Sequence, residues 1–173
     1  MRRSRPHGPP PVEAAHLSDR RRELPRAAAF WLVAFTTAAF AAASSAPSPL
    51  YPVYQVDFGF STITLTAIFA VYVFALMASL LTVGRLSDYV GRRVVFAGSL
   101  VVEVAAMLLF LGANGVATLV SARIVQGFAT GAAFGVLGAY LLDLQPGRAS
   151  KLGSLLNSVA PTFGLGLGAV VTG

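Results

Sequence analysis

Four small groups of residues could do chemistry in this sequence, and each brings charged, polar or helix-breaking residues into otherwise apolar surroundings. Arg123 opens the stretch Arg123-Ile124-Val125-Gln126-Gly127-Phe128-Ala129-Thr130-Gly131. At helical spacing, Arg123, Gln126, Gly127 and Thr130 share one face. An arginine inside a membrane span costs about 2.5 to 3.5 kcal/mol on the insertion scale, so it is expected to face a bundle interior or an aqueous cavity. Snorkelling to the nearer surface is the other reading, since Arg123 lies about two turns from a helix end. Glu103 is the acidic residue clearly inside an apolar span and sits at similar depth, so pairing with Arg123 is expected, either to neutralise both charges or to handle a proton.

The second group is the run Gly84-Arg85-Leu86-Ser87-Asp88-Tyr89-Val90-Gly91-Arg92-Arg93. Gly84 lets another helix approach closely, and Gly91 permits the turn that starts the next span. Asp88, four residues before Arg92, can favour a helix N-terminus or pair with Arg92 or Arg93. The third group is Ser154, Asn157, Ser158 and Pro161 on one helix face, followed by Gly164 and Gly168; Pro161 bends the helix, for packing or for motion. The fourth is Thr36 and Thr37, which line a cavity or bond their own backbone.

The elements that hold these groups are membrane helices. With 55% apolar and 12% charged residues and a mean hydropathy of +0.71, the chain suits lipid rather than water. Residues 1–26 are expected to form a disordered basic tail, because their arginines and prolines offer too little apolar area to offset the entropy of ordering. Residues 27–173 form a transmembrane domain with five spans, at about 27–46, 63–83, 94–111, 116–142 and 152–173. Pro47, Pro49 and Pro52 with Tyr51 and Tyr54 suit the outer end of the first span, where aromatic rings sit at the lipid interface. Asp57 and Gly59 then make a short polar turn, and Ser61 caps the second span. Gln145-Pro146-Gly147-Arg148 breaks the fourth. Twelve of the 13 basic residues precede the first span or lie in the loops after the second and fourth, which makes those segments and the amino terminus cytoplasmic and places the chain in a plasma (inner) membrane.

Other classes fit poorly. The net charge of +6 is not gathered on a face interleaved with stacking aromatics, so no nucleic-acid partner is expected. Cysteine is absent, and His7 and His16 lie in the tail without metal-ligand spacing, so no metal is expected. There is no Gly-rich phosphate loop, no His-Glu-x-x-His and no Ser-His arrangement, so the chain is not expected to be an enzyme.

The run from Gly84 to Arg93 resembles the signature of the major facilitator superfamily, Gly-x-x-x-Asp-Arg/Lys-x-Gly-Arg/Lys-Arg/Lys, with Tyr89 where a basic residue is usual. Arg123-x-x-Gln126-Gly127 is similar to that family's fourth-helix motif. Ala160-Pro161-Thr162-Phe163-Gly164 resembles its antiporter motif, Gly-Pro-x-x-Gly-Gly, without the first glycine and with Leu165 at the last. The resemblance implies an all-α membrane fold, here five transmembrane helices of the amino-terminal six-helix bundle, with the remaining carboxy-terminal helices outside this sequence. It also implies a secondary transporter driven by a proton gradient without other cofactors, with efflux of a drug-like molecule or metabolite favoured over sugar uptake. Under it, Gly84, Asp88, Gly91, Arg92 and Arg93 would latch a helix of the other half in the outward-facing state. Arg123 and Gln126 would meet substrate or a titrating acid, and Pro161 with Gly164 would allow bending. Five helices complete neither a half nor a cavity, so the sequence as it stands is not expected to transport alone. A non-transporting helix-binding module or an inactive fragment is the alternative.

Overall fold

A computed structural model describes residues 24–145 and 150–172, without the side chains of Arg85, Leu86, Asp88 and Ser150. The basic tail up to residue 23 and the break around Pro146, Gly147 and Arg148 lie outside the described residues. The elements are α1 (Arg26–Ser45), a 3-10 turn (Ser48–Leu50), α2 (Tyr51–Phe58), α3 (Thr62–Val90), α4 (Arg92–Leu111), α5 (Val116–Leu144) and α6 (Ser150–Thr172). Among the described residues, five helical passages are long and apolar enough to cross a membrane, the first of them running from Arg26 through Phe58.

The first passage is broken, not simply ended. Pro47 has no N–H to continue the ladder of α1, so the amide of Ala46 closes the helix by bonding the carbonyls of Ala42 and Ala43. The chain then turns through Ser48–Leu50 and resumes as α2, which Gly59 ends in a left-handed conformation at φ 63°. Asp57, expected in a turn, is therefore in α2, and the turn is confined to Gly59, Phe60 and Ser61. Ser61 caps α3 as expected, its Oγ accepting from the amide of Thr64 at 3.3 Å.

α3 differs from expectation at its far end. Residues 84–90 form its last two turns rather than a loop, because the amide of Gly91 still bonds the carbonyl of Ser87 at 3.1 Å. Gly91 alone makes the reversal, at φ 97°, which a side chain would strain. Arg92 then begins α4 at once.

α5 is the central helix, packed against α3, α4, α1 and α6. Its glycines set the spacing. A Cβ at Gly127 or Gly131 would collide with the backbone of α3 at Tyr72 or Leu76, while at Gly135 the nearest atom is Leu80 Cδ2, 3.8 Å away. The four-residue stripe is thus tight at two of its three positions. On the other side α6 lies against α1, where Gly164 meets Ala38 and Gly168 meets Ala42 and Ser45. Gly84 has nothing within 4 Å, so no described helix makes the close approach expected there. Large apolar side chains such as Phe74 and Leu81 of α3 and Phe163 and Val170 of α6 point outward, as helices in lipid or against further helices require.

Candidate functional site

Arg123 is seven residues into α5 and Glu103 eight residues before the end of α4. Both therefore lie roughly 10 to 12 Å below the turn that joins the two helices, at 1.5 Å per residue. The break in the first passage brings Ser44 and Tyr51 to the same place, and α3 supplies Phe69 and Tyr72. The site is thus a junction of α1, α2, α3, α4 and α5.

Arg123 is 1% exposed and takes the interior rather than the surface. Its Nε donates to the hydroxyl of Tyr51. Its Nη1 donates to the carbonyl of Ser44 at 3.1 Å and to Oε1 of Gln126 at 2.5 Å. The rings of Tyr51, Phe69, Tyr72 and Phe110 stand with centroids 5.1 to 5.3 Å from its guanidinium carbon. Hydrogen bonds to a charged group contribute about 1.5 to 3 kcal/mol each. Desolvated cation–π contacts add up to about 2 kcal/mol. Together these offset the cost of keeping the cation in the membrane.

Glu103 is 6% exposed. The sequence suggests a direct pair with Arg123, but the amide of Gln126 stands between them, its Nε2 donating to Glu103 Oε1 at 3.3 Å. Glu103 Oε2 and Arg123 Nη2 are buried without a hydrogen-bond partner among the described residues. Below this layer the Thr130 hydroxyl donates to the Gln126 carbonyl at 2.8 Å and lies 2.9 Å from the Ser44 hydroxyl, which fixes α5 against α1.

Sequence reasoning missed Tyr51. It was expected at the lipid interface, yet it is 1% exposed and points at Arg123; the prolines before it mark a break that turns the chain inward. Tyr54 is nearer the expected position, half-buried, with its hydroxyl donating to the Phe110 carbonyl at 3.2 Å. Thr36 and Thr37 bond the carbonyls of Leu32 and Val33, at 2.7 and 2.8 Å, the backbone alternative of the two readings.

The second charged group lies near the opposite ends of α4 and α5. Arg92 pairs with Asp143 near the end of α5 and lies over the ring of Tyr140, 5.5 Å from its centroid. Arg93 is exposed, and Asp88 belongs to the last turn of α3, with its side chain outside the described residues. Asp143 was not anticipated as a partner. On α6, Pro161 sits within the helix and leaves the Asn157 carbonyl without its usual amide donor. Gly164 packs on α1, while Ser154, Asn157 and Ser158 are exposed.

An interior arginine bonded to a helix break, an acid reached through an amide, and glycine-tight contacts between long apolar helices suit a membrane bundle that moves as packed units. No curated protein matches the sequence. The model of the Major Facilitator Superfamily matches residues 33–173, from within the first passage through the other four, and the chain belongs to this family of multi-pass secondary transporters.

Proposed function

We propose that this chain supplies the amino-terminal helices of a proton-coupled efflux transporter that moves a small organic molecule by alternating access. The observation that carries the reading is the enclosed Arg123–Gln126–Glu103 chain at the junction with the broken first passage. A buried acid linked to a buried base that itself holds a helix break can convert a change of charge into a change of packing. Pro161 and Gly164, at the contact of α6 with α1, support bending there and favour antiport.

In this reading Gly84, Asp88, Gly91, Arg92 and Arg93 act at the cytoplasmic side as the gating segment, and the amino terminus is cytoplasmic in the plasma membrane. The outward apolar faces of α3 and α6 fit further helices of the same transporter, which would complete the cavity with the lipid bilayer around it. The proton gradient is the energy source, with no other cofactor.

The test is accumulation of fluorescent organic compounds inside everted vesicles that carry this chain with the rest of its reading frame, since the outer face of such vesicles is the cytoplasmic one. Transport that follows an imposed pH gradient and collapses with a protonophore is expected. Transport indifferent to the gradient, or driven by it as uptake into the cell, would overturn the proposal.

A further inference from the structure

Two charged side chains share the interior of this protein without touching. Gln126 fills the gap, accepting from Arg123 Nη1 and donating to Glu103 Oε1. The direction of that amide is fixed, because a guanidinium can only donate. Gln126 therefore turns its NH2 toward the carboxyl group, and Oε1 of Glu103 is an acceptor in either protonation state. Oε2 is buried and bonded to nothing among the described residues. A proton can bind there without breaking any hydrogen bond in the structure.

The way Arg123 is held makes this possible. Apart from Gln126, its partners are the Ser44 carbonyl, the Tyr51 hydroxyl and the rings of Tyr51, Phe69, Tyr72 and Phe110. All are neutral. In a contact ion pair, neutralising the acid would strand the base as an unpaired buried charge. Here the guanidinium keeps every partner when Glu103 is neutral. α4 packs against α5 and α3, and the ionisable groups that face Glu103 from them are Arg123 of α5 and Tyr72 of α3. The Arg92–Asp143 pair lies near the other end of α4 and α5.

We infer that Glu103 binds and releases the coupled proton at Oε2, and that Gln126 is a positioning residue through which Arg123 senses its charge. The inference rests on the proton-coupled reading above. Hydronium gives its proton to the carboxylate and leaves as water; release is the reverse, to water on the other side. With Glu103 ionised, the pull of the anion on Arg123 acts toward α4. With Glu103 neutral that pull is gone, while Arg123 keeps Gln126 and its bonds to Ser44 and Tyr51, which tie α5 to the joint between α1 and α2. The proton thus biases the broken passage without forming or breaking a direct ion pair.

Infrared difference spectroscopy of this chain in lipid nanodiscs reads the proton directly and needs no transport. A protonated-carboxyl stretching band is expected to grow as pH falls, to vanish in E103Q, and to change frequency in Q126A, where the amide donor is gone. A titrating wild-type sample without that band, or a band unchanged in E103Q, overturns the inference. In the complete transporter, E103Q is expected to lower gradient-driven flux about tenfold, within the range of typical coupling energies, while substrate exchange continues. E103D, which keeps an ionisable group, should restore gradient-driven flux with a displaced pH profile; E103Q flux with an unaltered pH profile overturns the inference while leaving proton coupling intact. If wild-type flux ignores the gradient and the Glu103 band still titrates, proton coupling fails, and with it the transport role given to that proton.

Discussion

The side chain of Arg123 donates to the main-chain carbonyl of Ser44 at 3.1 Å, so a residue of α5 closes the carbonyl end of α1. That carbonyl is among the last of its helix, where the ladder has stopped because Pro47 has no amide proton to offer. A cation there also opposes the negative end of the helix dipole. The same guanidinium reaches Tyr51 beyond the break, and one side chain thereby fastens both pieces of the first passage. Arg123→Lys keeps the charge but not the fork that reaches two partners at once. It is expected to lower the thermal midpoint measured by size-exclusion chromatography after heating. Arg123→Ala should do more, because it leaves the Ser44 carbonyl and the Gln126 amide oxygen buried without that donor, at about 1 to 3 kcal/mol for each unsatisfied group. An alanine variant as stable as the wild type would show that Arg123 does not hold the joint.

The glycines of α5 make a graded prediction. A Cβ at Gly131 would lie 2.5 Å from the Leu76 carbonyl oxygen and 2.7 Å from Ser79 Cβ, both on α3 and neither able to move without the helix. Gly131→Ala is expected to destabilise the bundle by about 1 to 3 kcal/mol through overpacking. Gly135→Ala, whose nearest neighbour is 3.8 Å away, should be neutral or stabilising by up to about 1 kcal/mol, since alanine is the better helix former. Thermal midpoints of the two variants in one detergent decide it, and equal effects would mean that α3 and α5 are not in register as described.

How much of this was legible depends on distance along the chain. The five passages were, because a run of some twenty apolar residues has few other uses. Arg123 and Gln126 were too, because three-residue spacing puts them on one face and the cost of a buried charge demands a partner. Which partner was not legible. Glu103 and Arg123 were rightly placed at one depth by counting from their shared turn, but depth does not say that an amide intervenes. Tyr51 was misplaced because prolines and tyrosines look alike at a helix end and at a helix break. Asp143 lies 51 residues from Arg92, and only the antiparallel packing of α4 and α5 brings them together. The extension of α3 to Val90 was missed because charge and glycine read as loop, whereas a helix leaving the membrane carries charge without difficulty.

The orientation can be tested without altering any native thiol, since the sequence has no cysteine. Tyr89 is 90% exposed at the end of α3, and Asn114 lies in the turn between α4 and α5. With the amino terminus cytoplasmic, Asn114→Cys should react with a membrane-impermeant maleimide in intact cells. Tyr89→Cys should react only after permeabilisation. The opposite pattern would invert the topology drawn from the arginines.

The pair of Arg92 with Asp143 links the first turn of α4 to the last turn of α5. Its side chains are 33% and 60% exposed, so water and salt screen it, and pairs of this kind couple by about 0.2 to 1 kcal/mol. Arg92→Asp and Asp143→Arg should each lower the thermal midpoint, and the double exchange should recover part of the loss. Recovery stays partial because Arg92 also lies over the Tyr140 ring, a contact that aspartate cannot replace. Repeating the cycle in 1 M salt, where the screening length falls to about 3 Å, should shrink the coupling. A coupling that survives high salt unchanged would mean the two residues communicate through helix packing, and these ends of α4 and α5 would then be held by Tyr140 and its neighbours instead of by charge.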